Sequence, residues 1–326
     1  MAPEPKIELH VHLEGSVLPE SLFEMANRNG VGLPAADAGE LAEIYRFRDF
    51  EHFLELWSMT TVAIQTDRDF RQVVTDYAEQ AASHGAVYIE GIFTPAERVS
   101  AGASWDEVFA GFCDGAQQAN ELFGVEVRLT CDIPRNLEPE VGLRTAEYAV
   151  KYRDRGVVGL GLGGPETDYP PEPFERAFLV AKEGGLGSVP HAGEVAGAAS
   201  MRGAIEVLRA DRIRHGIRAL EDAGIVRELV DRQIVCDVCP VSNVCTGAVG
   251  SLEDHPLPSM LEAGIPCSIS TDDPAMFGTN LGREYEVARQ LGCSAETAFR
   301  SGLLGALCDE RTRRKLEAFA DSYDRN

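Results

Sequence analysis

The chain has 326 residues, enough for one large barrel or two ordinary domains. Its 30 Lys and Arg against 53 Asp and Glu leave a net charge of −23, a balance that repels nucleic acid and anionic membranes. No apolar stretch approaches the ~20 residues of a membrane span, and the first residues lack the basic and apolar segments of a signal peptide, so the expected location is the cytoplasm.

The first β-branched, apolar run spans 6–13 and is followed by 19–29, where Leu22, Phe23, Met25 and Ala26 fall at helical spacing. Residues 34–66 then carry two extra helical patterns, 40–45 and 47–61. Inserted after strand one of a barrel, such a stretch stands over the mouth as a lid. Its aromatic residues Tyr45, Phe47, Phe50, Phe53 and Trp57 suit a packed lid. A helical pattern at 67–83 leads to a strand at 86–93. Further strands are predicted at 125–133, 157–163, 186–191, 212–215, 234–239 and 265–271. Between them lie helical patterns at 105–123, 139–155, 173–183, 200–208, 223–232 and 260–263. Eight strand–helix alternations place the chain in the α/β class as a parallel (β/α)8 TIM barrel, a single domain over 1–326 with 34–66 as its lid. The strand runs read as apolar throughout, as expected of strands covered on both faces.

Eight cysteines are scattered along the chain, and reduced, buried thiols are the expectation for an intracellular protein. Cys236 and Cys239 form one CxxC inside a predicted strand. A structural zinc site would need two more ligands at matching spacing, so core packing is the better reading.

The chemistry collects where barrel enzymes keep it, at the C-terminal ends of strands. His10 and His12 are two apart on the first strand, so both imidazoles point to one face. His191 ends the fifth strand and Asp272 the eighth. Three nitrogens and one carboxylate suit a single zinc with a position left for water. Glu194, three residues past His191, sits beside the metal as a general acid/base. His215, ending the sixth strand, would orient or deprotonate the water. Asp273 is free to hydrogen-bond a substrate. His52, His84 and His255 fall in helix or loop contexts and read as facing solvent. The run Gly161-Leu162-Gly163-Gly164-Pro165-Glu166 lacks GxGxxG spacing, so it is no dinucleotide fingerprint.

LHVHLEGS, PHAGE, RIRHG, CPVSN and STDDP occur in this order from His10 to about Tyr285. Together they resemble the adenosine deaminase family of the metal-dependent amidohydrolase superfamily. The resemblance implies one Zn2+ per chain on His10, His12, His191 and Asp272. It implies hydroxide attack on C6 of a 6-aminopurine and loss of ammonia. Glu194 would protonate N1, His215 would act on the attacking water, Asp273 would contact N7, and the Gly164 backbone N–H would meet N3. Nucleoside-specific members commonly carry Asp where this chain has Glu14, at the ribose hydroxyls. The Glu resembles adenine deaminases and relatives acting on modified nucleosides. The substrate implied is a small-molecule purine nucleoside, either adenosine or a 5′-modified nucleoside such as aminodeoxyfutalosine, with adenine as the alternative. Aminodeoxyfutalosine, a menaquinone intermediate, carries a benzoate that Arg46 or Arg48 in the lid could receive. A homo-oligomer is compatible with the sequence.

Other classes fit less well. A binuclear amidohydrolase needs a bridging lysine at the end of strand four, and none of Lys6, Lys151, Lys182 and Lys315 lies there. A phosphoesterase that opens with HxH needs more His and Asp ligands than remain. A cytidine-deaminase-like site needs a P-C-x-x-C that is absent. A non-catalytic binding barrel would be expected to have lost a ligand or Glu194.

Overall fold

In the computed structural model, which describes residues 3–323, the predicted strands form with small shifts at their ends. They are β1 (Lys6–His12), β2 (Ala86–Phe93), β3 (Glu126–Pro134), β4 (Val157–Gly163), β5 (Gly187–Ser188), β6 (His191–Ala192), β7 (Arg212–His215), β8 (Val235–Val238) and β9 (Cys267–Ile269). All are paired in parallel, as β1–β2–β3–β4–β5 and β6–β7–β8–β9. β5 and β6 are two halves of the predicted fifth strand. They part at Val189-Pro190, where proline has no N–H to offer a ladder. The Val189 N–H donates to the Leu160 carbonyl (2.9 Å) and the Arg214 N–H to the Pro190 carbonyl (3.0 Å), so one sheet continues into the other. At the far edges, the His12 N–H donates to the Asp272 carbonyl (2.7 Å) and the Asp272 N–H to the His10 carbonyl (3.0 Å). The strand order and these bonds are those of the parallel (β/α)8 barrel read from the sequence.

The helices are α1 (Pro19–Asn29), α2 (Ala38–Ile44), α3 (Phe50–Thr61), α4 (Asp67–Ser83), α5 (Pro95–Ser100), α6 (Trp105–Phe123), α7 (Pro139–Lys151) and α8 (Glu175–Glu183). They continue with α9 (Ala198–Glu206), α10 (Ala223–Asp231), α11 (Pro240–Cys245), α12 (Leu257–Glu262), α13 (Pro274–Phe277), α14 (Leu281–Gln290), α15 (Ala295–Gly305) and α16 (Glu310–Tyr323). Capping boxes start α4, with Thr66 and Asp69, and α6, with Ser104 and Glu107. α3 begins at Phe50 rather than Phe47 because the Asp49 side chain accepts the His52 N–H and caps it there. α14, α15 and α16 were not among the predicted elements. α16 buries only Thr312, Leu316 and Ala320, too thin an apolar stripe to stand out. Leu316 and Ala320 pack with Phe299 of α15 against Ile7 and Leu9 of β1.

The barrel interior departs from the all-apolar expectation. Arg212 donates to Asp237 (2.5 Å), Glu90 (2.7 Å) and the carbonyls of Leu9 (3.1 Å) and Gly305 (2.8 Å). Arg214 pairs with Asp132 and with the Thr130 hydroxyl (2.7 Å). These side chains are buried. A Cβ at Gly161 would lie 2.1 Å from Asp132 Oδ1 and 2.4 Å from Arg214 Nη1, so glycine is needed in β4 to leave room for that pair. Arg212→Met would leave Glu90 and Asp237 buried without their shared cation. Breaking such a pair costs about 3–5 kcal/mol, so the urea midpoint should fall with little change of slope. An unchanged midpoint would show that the cluster adds nothing to stability.

No helix among the described residues is long and apolar enough to cross a membrane.

Candidate metal centre and active site

The closing bonds between β1 and Asp272 bring the ends of those two segments together, and β6 delivers His191 beside them. His191 Nε2 lies 3.1 Å from His10 Nε2 and 3.1 Å from His12 Nε2. Asp272 Oδ1 lies 3.2 Å from His10 Nε2 and 3.4 Å from His12 Nε2. Four ligands about 2.0–2.1 Å from a tetrahedral zinc stand roughly 3.3–3.4 Å apart. The observed spacings are near that.

The second ring nitrogens explain why such a cluster wants a cation. His191 Nδ1 donates to the Leu162 carbonyl (3.0 Å), and His10 Nδ1 faces the Asp237 carbonyl (3.4 Å). In its neutral form each ring therefore carries its hydrogen on Nδ1, which leaves both Nε2 lone pairs facing the point where a cation would be held. Burial pushes His12 down to about 3, with the Asp272 charge opposing and the neighbouring imidazoles adding to it. Burial also lowers His191. Burial alone would raise Asp272, but the imidazoles of His10, His215 and His12 hold it well below the usual carboxylate range. The Ser242 hydroxyl donates to Asp272 Oδ2 (2.6 Å) and orients it. The donor set fits one zinc.

Two residues here hold left-handed backbone without being glycine, His215 (φ 64°) and Asp272 (φ 66°). Such conformations cost about 1–3 kcal/mol each and concentrate at functional sites.

Glu194 is buried, with Oε2 3.5 Å from His215 Nε2. Burial, reinforced by the charges of Asp272 and Glu166, raises its carboxyl well above the usual range. That shift favours the neutral carboxyl, the form equipped to donate. Asp273 is raised in the same way, by burial and the adjacent Asp272 charge, and accepts the Trp57 indole N–H (2.8 Å). A Cβ on Gly15 would come within 1.7 Å of Asp273 Oδ1, so glycine is the residue that admits Asp273 to the site.

The expectation that His255 faces solvent is corrected: it is buried. Its Nδ1 accepts the Leu257 backbone N–H (3.1 Å), so its hydrogen is on Nε2, which meets Asn243 Oδ1 (3.2 Å). The Asn243 amide nitrogen then faces His215 Nδ1 (3.1 Å). Starting from a backbone N–H that can only donate, this chain leaves His215 Nδ1 accepting. The hydrogen of neutral His215 is then on Nε2, toward Glu194 and Asp272.

One cavity of about 740 Å3, open mouth included, is lined by His12, His191, Glu194, His215, Asp272, Asp273 and Gly164. Phe50, Phe53, Leu54, Trp57 and Ser58 of α3 form one wall. Glu14 does not line it. Burial lifts Glu14 to about 7, its Oε1 accepts the Thr94 N–H (2.8 Å), and Oε2 has no partner. Nor do Arg46 and Arg48. Phe47 packs inward on Phe53 and Phe277, with ring centroids 5.3 and 5.6 Å away. Its two neighbours are exposed, and Arg46 pairs with Glu43 (2.9 Å). No Arg or Lys among the described residues lines the cavity. The Cys236–Cys239 thiols are buried and free, and burial raises both. Cys239 Sγ is 3.5 Å from His10 Nδ1.

Sequence reasoning missed Asp132, Glu166 and Asn243. Asp132 Oδ2 is 3.3 Å from His191 Nδ1, and its position at a strand end was the one available signal.

A sequence model described as adenosine deaminase matches residues 5–321. The chain belongs to the adenosine deaminase family. It is a hydrolytic deaminase of the metal-dependent amidohydrolase type. It is 49% identical over 319 residues to an aminodeoxyfutalosine deaminase of Acidothermus cellulolyticus, covering 96% of this chain and 90% of that one. An adenine deaminase of Streptomyces coelicolor is 37% identical over 329 residues, covering 99% and 96%. The crystal structure of an adenine deaminase from Arthrobacter aurescens superposes with a TM-score of 0.93 at 33% identity, covering 99% and 100%.

Proposed function

We propose that this deaminase removes the 6-amino group from a purine nucleoside altered on its 5′ side, with aminodeoxyfutalosine as the substrate and zinc as the metal. The observation that carries this reading is the 49% identity along 96% of the chain with an aminodeoxyfutalosine deaminase, against 37% with an adenine deaminase. The cavity supports it. Its α3 wall of Phe50, Phe53 and Trp57 suits an aryl group. That wall also supports a role for 34–66 as a lid over a single barrel domain. Arg46 and Arg48 have no part in this reading, because neither reaches the cavity.

His10, His12, His191 and Asp272 would hold the zinc, which when bound supplies a water activated at neutral pH. Glu194, whose neutral form burial favours, gives its proton to ring N1 as C6 becomes tetrahedral. His215, with its hydrogen on Nε2, donates to the oxygen that adds to C6. Asp273 meets N7, and the Gly164 N–H meets N3. The same α3 wall excludes water from around the purine.

Adenine is the second reading, favoured by the near-complete overlay on an adenine deaminase and by a Glu14 turned away from the cavity. Ammonia release by the zinc-loaded protein on adenine, adenosine, 5′-methylthioadenosine and aminodeoxyfutalosine, run in parallel, separates the readings. We expect kcat/KM to be highest for aminodeoxyfutalosine by at least about tenfold, a difference of roughly 1.4 kcal/mol in transition-state binding. Preference for adenine would replace the first reading with the second.

A further inference from the structure

The carboxylate of Glu166 lies outside the cavity wall and has no role in the chemistry above. It is nevertheless buried and fully engaged. Oε1 accepts the Gly193 N–H (2.6 Å) and the Ser200 hydroxyl (2.5 Å). Oε2 accepts the N–H groups of Glu194 (3.1 Å), Val195 (2.9 Å) and Ala196 (2.9 Å). Four successive backbone donors therefore converge on one side chain. They belong to the turn that joins β6 to α9, and Glu194 is the second of them.

That turn has no ladder or helix of its own to satisfy these donors. Gly193 is left-handed (φ 70°), and a Cβ there would meet the Met201 sulfur at 2.6 Å. Successive N–H groups arranged in this way form a concave anion cradle. Here the anion is supplied from the β4 end by the chain itself. The far side of the turn is held too: the Gly193 carbonyl accepts the Arg218 N–H (3.0 Å) and the Glu194 carbonyl accepts from Arg218 Nε (3.1 Å). The backbone of Glu194 is thus clamped at both its N–H and its C=O, which fixes the point from which its side chain enters the cavity. Proton transfer is sensitive to displacements of about 1 Å, because the donor must lie within hydrogen-bond reach of the ring nitrogen.

We infer that Glu166 is the positioning residue for Glu194, setting the turn that aims the Glu194 carboxyl at the substrate. The inference rests on the reading of Glu194 as the proton donor. A double-mutant cycle tests the two separately, using Glu166→Gln, Glu194→Gln and the double variant on the preferred substrate, with zinc content measured for each. The amide of Glu166→Gln keeps an acceptor oxygen and turns an NH2 group toward backbone N–H groups, so the cradle loses about half its bonds. Expected is a fall in kcat of roughly ten- to a hundredfold with KM within about threefold and zinc retained. In the Glu194→Gln background the same substitution should change kcat by less than about threefold, because the group it aims no longer transfers a proton. An equal fall in both backgrounds, or zinc lost in step with activity, overturns the inference and leaves Glu194 as the donor. Near-normal turnover of Glu194→Gln alone would overturn the reading of Glu194 itself. If Glu166→Gln does not fold, Ser200→Ala carries the test, since it removes one donor and leaves the charge. A severalfold loss of kcat confined to the Glu194 background supports the inference, and no loss overturns it.

Discussion

Glu194→Gln is expected to retain its zinc and lose roughly 10²–10⁴ in turnover, the range for a general acid/base group. The substitution is close in shape and, because burial favours the neutral carboxyl, close in charge to that form. The amide can still donate a hydrogen bond to a ring nitrogen, but it cannot surrender a proton as C6 becomes tetrahedral. Binding should therefore change little, and the loss should appear in kcat. Elemental analysis for zinc and ammonia release measured side by side separate this from a damaged metal site. Near-normal turnover would remove Glu194 from the mechanism.

Asp272→Ala should lose the metal. The residue supplies the one carboxylate of the four-membered cluster and also receives the Ser242 hydroxyl. Replacing a partner that merely supports a metal ligand typically costs 10–100-fold in affinity, so removing a ligand should cost at least about 10²-fold. Zinc per chain and turnover should then fall together. The left-handed backbone at 272 suits Asp and Asn better than Ala. Asp272→Asn therefore serves as the control that keeps the backbone and removes the charge. Full zinc occupancy in both variants would show that Asp272 is not a ligand.

The order of these groups was legible because barrel chemistry sits at strand ends and the motifs mark those ends. His10, His12, His191 and Asp272 each close an apolar run. The inside of the barrel was harder to read. Glu90 and Asp237 are single charges within otherwise apolar strands, Arg212 alternates with Arg214 in its short strand, and a charge in a short run looks like a solvated edge until its partners on other strands are known. His255 was misread for the same reason, since its partner Asn243 belongs to a different segment of the chain. Glu166 looked like the end of a glycine-rich turn, and nothing local announces that its oxygens reach residues 193–196. Arg46 and Arg48 were assigned on their charge and their place in the lid. The packing of Phe47 between them decided their direction.

The backbone bonds of His10 and His12 to Asp272 join the first strand of the ring to the last. The side chains of the same three residues converge on one point. An ion held there would work as a clasp across that seam, so that binding it and shutting the barrel are a single event. Stripping the metal should therefore be felt first as a loosening between the first and last strands, with amide hydrogens at His12 and Asp272 exchanging sooner than those between β2 and β3.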